Sequence, residues 1–442
     1  MTDAAEHFLA VLAADRNWPF LGGMAVILVA LGFWNWRGAV KAALVLLLFE
    51  GFLRKQLLPG LQELSYALKD LLLAGAYLRF FLLPDDAVKR SRLGITKRSR
   101  WVTWICVIIV SFSALHPNLG SPLVAIFGLA LYLFYLPLVV MMPRLYDSAA
   151  TLKQGLLRYA GLALPVCFVA IYQWWDPAPS LLSYYAAGME FPPRLLGTFS
   201  YVIGFAAFLS LFFALHLGLF CASPPVWARW MLGINLALLI TCGLICGSRS
   251  AVVQMALWMV LLPGCLMLMS KVRRTRMLGG IGMLVILLVA TVFAIAAQDG
   301  VNPRIMTYRA GTLIHAARDA PLLGNGIGVT HPRMDSLRRV LRVPKPNPLL
   351  PVYDDEMAAT YSELGLAGFV AWYLLRITLM VCSFQSARAP GEFRPLHLTF
   401  ALAQLMSLFT SFVTNPTMGL LVTAAAGLSL GLERKAAVEE HA

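Results

Sequence analysis

Apolar runs of roughly 20 residues, the length that crosses a hydrocarbon core, recur from one end of this chain to the other. They fall near residues 19–35, 38–53, 64–83, 101–116, 122–142, 156–174, 198–220, 226–246, 251–270, 277–297, 361–383, 396–413 and 416–432. The 442 residues are 59% hydrophobic and 13% charged, a composition that excludes a soluble globule of this size. Inside lipid a backbone must satisfy its own hydrogen bonds, so the expected fold is an all-α polytopic transmembrane bundle. It has 12 or 13 helices, the short second run and the break at Asn415, Pro416 and Thr417 deciding between the two counts. No secretory signal with a small-residue cleavage site is expected before the first run. Three parts follow: residues 1–297 with ten helices and short loops, a large loop at 298–358, and C-terminal helices with a tail at 359–442.

The net charge of +14 is placed unevenly. Lys89, Arg90, Arg92, Lys97, Arg98 and Arg100 crowd one connection, and Arg144, Lys153 and Arg158 mark a second. Lys271, Arg273, Arg274 and Arg276 mark a third, and Arg388 and Arg394 a fourth. Cytoplasmic loops collect Lys and Arg, so these four are expected inside. Residues 117–121, 175–197, 247–250 and 298–358 then face the other side. A basic excess of this kind reads as topology signal and contact with anionic lipid. It does not read as nucleic-acid binding, which needs a basic face on a soluble fold. The seven cysteines lie within or at the ends of apolar runs without metal-type pairing to histidine, and read as small apolar fillers.

Under that topology a few cations stand on the less basic side. Arg54 and Lys55 follow Glu50, and Arg194 lies in the stretch 191–200. Arg249 sits in a short turn between two runs, and Arg304 and Arg309 begin the long loop. Such an arginine snorkels to lipid head groups, pairs with a neighbour such as Glu50 or Glu190, or grips an anion. Phosphate is the anion best matched to its planar two-donor fork. Arg194 and Arg249 are both set among Gly, Ser and Thr, and for them recognition of an anionic group is the reading taken.

Within the long loop, Gly324, Gly326 and Gly328 follow no strand. They read as a tight turn supported by Pro321, not as a nucleotide site. The acidic cluster Asp354, Asp355 and Glu356 precedes a span whose start carries Glu363, seven residues on from Glu356 and on the same helix face. Two readings stand for this cluster. One is a general base for a sugar hydroxyl; the other is an acidic helix N-terminus capped by Asp354. His331 is a further base candidate, and His315 has no evident partner. Lys69 and Asp70, adjacent in the third run, point to different faces and read as structural.

Taken in order, these motifs resemble the O-antigen ligase and O-antigen polymerase superfamily of bacterial membrane glycosyltransferases. They are Arg-x-x-Gly-Thr-Phe-Ser at 194–200, Gly-Ser-Arg-Ser at 247–250, Pro-Leu-Leu-Gly-Asn-Gly-Ile-Gly at 321–328 and Glu-Leu-Gly-Leu-Ala-Gly at 363–368. The likeness covers roughly residues 190–385, and the stretch 50–55 resembles a subgroup of these proteins. It implies a GT-C-like enzyme of the bacterial inner membrane, with a partly helical periplasmic loop and a site facing the periplasm. It also implies transfer of a glycan from an undecaprenyl-diphosphate carrier to an acceptor hydroxyl without metal or nucleotide sugar. Single displacement at the anomeric carbon would invert configuration.

The positions matching the family's diphosphate-binding arginines are Arg194 and Arg249; Arg54, Lys55, Arg304 and Arg309 are further candidates for that role. Ligases place a His-Asn pair nine residues before the Glu of their Glu-x-Gly motif. Here Asp354 and Asp355 stand at those positions ahead of Glu363, so a polymerase is the first reading and a ligase the second. The partners implied are the lipid-linked glycan, a glycan or lipid acceptor, the bilayer, and a chain-length regulator or flippase. From another class, a transporter or flippase of a lipid-linked or anionic solute is the alternative. The break at 415–419 is the feature in its favour, and no internal repeat supports it.

Overall fold

A computed structural model of the chain describes residues 18–57, 62–83, 97–176, 180, 194–222, 224–270, 304–331, 334, 338, 343, 353, 355–388, 391–410, 412–413 and 415–440. The backbone alone is described for 18–21, 62–66, 97–99, 249, 304–310 and 431–440. Among these residues the chain is helical, with no strand. In chain order the helices are α1 (Trp18–Trp34), α2 (Trp36–Phe52), α3 (Gln62–Leu82), α4 (Lys97–Phe112), α5 (Pro122–Leu133), α6 (Leu138–Met141), α7 (Ala149–Gly161) and α8 (Ala163–Trp175). Then come α9 (Val202–Cys221), α10 (Val226–Ile245), α11 (Arg249–Leu268), α12 (Arg304–Asp319), α13 (Glu356–Arg388), α14 (Arg394–Ser407) and α15 (Pro416–Glu440).

Five spans among the described residues are long and apolar enough to cross a bilayer: Ala149–Trp175, Val202–Cys221, Val226–Ile245, Ser250–Leu268 and Glu356–Arg388. The bent pair Pro122–Leu133 and Leu138–Arg144 makes a sixth. This is fewer than the 12 or 13 expected, and the reasons are local. α1, α4 and α15 carry shorter apolar stretches. α2 and α3 hold Lys41, Glu50, Lys69 and Asp70 within their apolar runs. The run expected at 277–297 lies outside the described residues, as does the basic stretch 271–276.

The helices alternate between two ends. At one end Arg37 pairs with Asp147 at 2.9 Å, Lys153 pairs with Glu392, and the Lys153 ammonium donates to the Ala222 carbonyl at 3.4 Å. The connections bearing Arg144, Arg388 and Arg394 therefore gather there, together with exposed Trp34, Trp101, Trp104, Trp227 and Trp230. At the opposite end lie the 194–200 segment, the turn between α10 and α11, and exposed Trp174 and Trp175. Tryptophan girdles at two levels are what a bilayer's two interfaces select.

α9 is apolar on every side and buried on most of them, as such a helix must be. Phe205, Phe208 and Phe212 run along it, with Phe208 and Phe212 centroids 4.3 Å apart, and Phe199 packs on the first two. Several buried polar groups pair within the bundle, as burial demands. Lys69 reaches Glu50 at 2.9 Å while Asp70 accepts from the Tyr135 hydroxyl at 3.0 Å. The indole of Trp258 donates to Ser210 at 3.0 Å.

α13 is not straight. Twenty residues of α-helix rise about 30 Å, yet the Arg376 guanidinium lies 2.9 Å from Glu356. Likewise the rings of Tyr361 and Phe369, each four residues from Gly365, are 5.5 Å apart. The helix folds back at Gly365, whose φ of 66° and ψ of −174° are not helical. Residues 356–364 form a short limb lying along the longer limb that follows.

Candidate anion-binding site

The segment 194–200 begins where Arg194 meets solvent, and from Leu195 to Ser200 it is buried, yet it is neither helix nor strand. Buried backbone outside regular structure must find partners elsewhere. Gln173 of α8, itself fully buried, supplies them. Its amide nitrogen donates to the Gly197 carbonyl at 2.8 Å. Its oxygen accepts from the amides of Gly197 at 3.0 Å and Leu196 at 3.3 Å. A single side chain thus takes the place of a neighbouring strand.

The end of α2 clamps the same segment from the other side. The Phe52 amide donates to the Thr198 carbonyl at 3.0 Å, and the Thr198 hydroxyl donates to the Leu48 carbonyl. Gly51 permits this approach, because a Cβ there would collide with the backbone of Phe199 and Ser200. Beyond the clamp α2 widens into a π-helical turn, Leu53–Leu57, a form often found at functional sites. It lays the Arg54 guanidinium 5.3 Å from the centroid of the Tyr201 ring.

Arg194 approaches the turn between α10 and α11. Its Cγ lies 3.5 Å from where a Cβ on Gly247 would stand. Gly247, at φ 69°, makes the turn, and Arg249 opens α11 two residues later. Ser248 precedes that helix but makes no capping hydrogen bond; its hydroxyl meets that of Ser250 at 3.0 Å. The first amides of α11 are thus not capped by that serine, the arrangement in which helix N-termini take anions.

Three stretches far apart in the sequence, 50–55, 194–200 and 247–250, are therefore one locus. Its electrostatics favour an anion. Glu50, a sequence candidate for pairing with these cations, is turned to Lys69. Burial, and then the adjacent Arg54, lower the Lys55 ammonium to about 8. Arg54 Nε and Ser200 Oγ are buried without a hydrogen-bond partner. Among the described residues no group of three or more His, Cys, Asp and Glu side chains converges as a metal site would require.

The glycine loop docks at the fold-back of α13. The amides of Asn325 and Gly326 donate to the carbonyls of Ser362 at 2.8 Å and Glu363 at 3.1 Å, and the Leu366 amide donates to Leu322 at 3.1 Å. Gly324 (φ 73°) and Gly365 face each other where a Cβ on either would strike the other's backbone. Glu363 is buried and accepts four hydrogen bonds. These come from the Tyr132 hydroxyl at 2.7 Å, the Gly328 amide at 2.9 Å, the Thr330 amide at 3.1 Å and the Thr330 hydroxyl at 2.6 Å. This carboxylate fixes the loop.

The acidic cluster divides. Asp354 lies outside the described residues. The helix cap is Asp355, one residue later than expected, because α13 starts at Glu356 and the Ala358 amide reaches Asp355 Oδ2 at 3.2 Å. Glu356, a general-base candidate in the sequence, is buried. One of its oxygens meets Arg376 and the other accepts from the amides of Phe412 and Val413. With both oxygens engaged it serves as a fixed counter-charge. His331 is buried beside the glycine loop, its ring 6.4 Å from that of Phe127. Arg304 and Arg309 fall on the first turns of α12, which packs on α13; their side chains lie outside the described residues.

Asn415 caps α15 by accepting from Thr417 at 3.1 Å, and its amide donates to the Ile203 carbonyl at 3.3 Å. The break at 415–419 is thus an ordinary helix start. Asn415 thereby joins the start of α15 to the start of α9, while nearby in the chain Phe412 and Val413 hold Glu356 and the short limb of α13. Gln173, Tyr132 and Arg376 drew no notice in the sequence. Only Arg376, a charge inside a span, gave a signal that would have found it. No known family model matches the chain, and no curated protein is significantly similar to it.

Proposed function

We propose that this protein is a membrane glycosyltransferase that moves a glycan from a polyprenyl-diphosphate carrier to an acceptor hydroxyl at the outer membrane face. The observation that carries the reading is the meeting of Arg194 with the Gly247 turn that leads into Arg249. On this reading the two guanidinium groups hold the diphosphate, with Arg54 and Lys55 alongside. The acceptor oxygen attacks the anomeric carbon as the bond from that carbon to the phosphate oxygen breaks. The carrier diphosphate leaves with the electron pair, and its growing charge is neutralised by fixed cations. The hydroxyl proton passes to Asp354 or Asp355, the acidic residues that precede Glu356 in the sequence and remain once Glu356 is committed to Arg376.

Because carboxylates stand where ligases carry His-Asn, the favoured acceptor is a growing lipid-linked polysaccharide, with a ligase as the second reading. The gathering of arginine-rich connections at the opposite end supports an outward-facing site in a bacterial inner membrane. Purified protein given a polyprenyl-diphosphate-linked glycan and an acceptor should release free carrier diphosphate. Arg194→Ala and Arg249→Ala should each slow release by about 10²–10³-fold. Release at the wild-type rate in both variants, or transport of the intact carrier with no release, would reject the proposal.

A further inference from the structure

A cavity of about 530 Å³ lies at the arginine-rich end, remote from the cation locus, between α2, α7, α9, α14 and α15. Its wall is apolar, with Leu44, Phe212, Phe400 and Leu428 among the lining residues. Its mouth is polar and of one sign, formed by Lys41, Tyr146, Thr151, Gln154 and Arg158, and no Asp or Glu lines the cavity. Thr151, Gln154 and Arg158 share one face of α7 through their spacing of three and four residues. The Lys41 ammonium lies 4.8 Å from the Tyr146 ring centroid. That ring rests against Gly155, where a Cβ would intrude on it. The Arg158 charge reaches the same ring: burial raises the Tyr146 phenol, and Arg158 partly offsets the rise. The Tyr159 hydroxyl donates to the Leu44 carbonyl at 3.1 Å and closes the side between α7 and α2.

Two acids described at this end are used elsewhere. Asp147 pairs with Arg37 and Glu392 with Lys153. Among the described residues no carboxylate pairs with Lys41 or Arg158. Among the described residues, two cations thus stand over an apolar chamber whose lining brings no opposite charge to meet them.

We infer that this cavity seats one anionic glycerophospholipid, an acyl chain inside and its phosphate held between Lys41 and Arg158. A lipid tail gains little by leaving bilayer for an equally apolar wall, so the chamber sets shape and the head-group charge sets selectivity. Basic pockets between helices on the inner side are where anionic head groups bind. The inference is independent of the glycosyltransferase reading.

Lipid titration followed by native mass spectrometry of the full chain tests it, with phosphatidylglycerol and phosphatidylcholine as probes. One phosphatidylglycerol should be retained in preference to phosphatidylcholine. Lys41→Ala combined with Arg158→Ala, both exposed residues, should reduce that preference by about 10- to 30-fold. Leu215→Trp, which fills the chamber, should remove the retained lipid altogether. Should that variant fail to fold, the exposed double variant decides alone. Equal retention of the two lipids by wild type, or a preference unchanged in the double variant, would overturn the inference. Displacement of phosphatidylglycerol by an equal concentration of polyprenyl phosphate would also overturn it, giving the seat to the carrier.

Discussion

Arg376 grips Glu356, twenty residues earlier on the same helix, at 2.9 Å. The pair closes the fold-back of α13 and joins it to the α14–α15 turn, because the guanidinium also donates to the Ser407 carbonyl and the carboxylate receives the Phe412 and Val413 amides. Arg376→Leu should cost about 3–5 kcal/mol, since it strands a buried carboxylate. Removing both charges with Glu356→Leu and Arg376→Leu should restore part of that loss. Unfolding titrations in detergent measure both, and simple addition of the two single losses would contradict the pairing.

Gly365→Ala should destabilise the protein by at least about 1–3 kcal/mol, the cost of holding an ordinary residue at such a dihedral. Its Cβ would also strike the Leu322 carbonyl and the Gly324 amide. Limited proteolysis of the glycine loop should accelerate in step with the loss of stability. A variant as resistant as wild type would mean that the fold-back does not depend on this residue.

Gln173→Leu removes three hydrogen bonds from the 194–200 segment and keeps most of the side-chain volume. Buried backbone groups left unpaired cost about 1–3 kcal/mol each when not rehydrated. Carrier affinity should fall with little change in helix content. Gln173→Glu should do more harm, because it sets a charged acceptor against the Gly197 carbonyl that the amide nitrogen now reaches at 2.8 Å, in a fully buried place. Calorimetric titration with a polyprenyl diphosphate reads the difference, and equal effects of the two variants would contradict it.

The Lys55 ammonium, lowered to about 8, makes the cation locus pH-dependent. It is charged below that value, so anion affinity should be highest there and decline as pH rises through about 8. Stability runs the other way. The unfolded chain holds the proton up to its ordinary value while the folded chain has already released it, so stability rises with pH across that interval. Lys55→Arg should flatten the affinity profile, as measured by diphosphate titration from pH 6 to 9. A profile equally steep in the variant would place the titration elsewhere.

Hydropathy made the helical nature of the chain readable, because length and apolarity are properties of a run. It did not reveal conformation within a run. Leu195, Leu196 and Phe199 are as apolar as their helical neighbours, yet α9 begins only at Val202, since Gln173 and the end of α2 hold those residues out of helix. The fold-back at Gly365 is equally invisible, because a single φ leaves no mark on composition. Lys69 and Asp70 are expected to point to different faces, yet they meet at 3.6 Å while Lys69 also reaches Glu50 and Asp70 accepts from Tyr135. The sequence singles out Arg54, Arg194 and Arg249 by their side of the membrane, but the residues that hold their stretches together, Gln173, Thr198 and Gly51, look ordinary in a membrane span.

The mutual fit of Gly324 and Gly365 also bears on how the protein is made. A ribosome releases residues 322–330 well before 362–366, so the loop's amides and the Glu363 oxygens must wait for one another through translation. Chains halted before α13 would present that loop with no acceptor waiting for it, a state suited to recognition by membrane quality control.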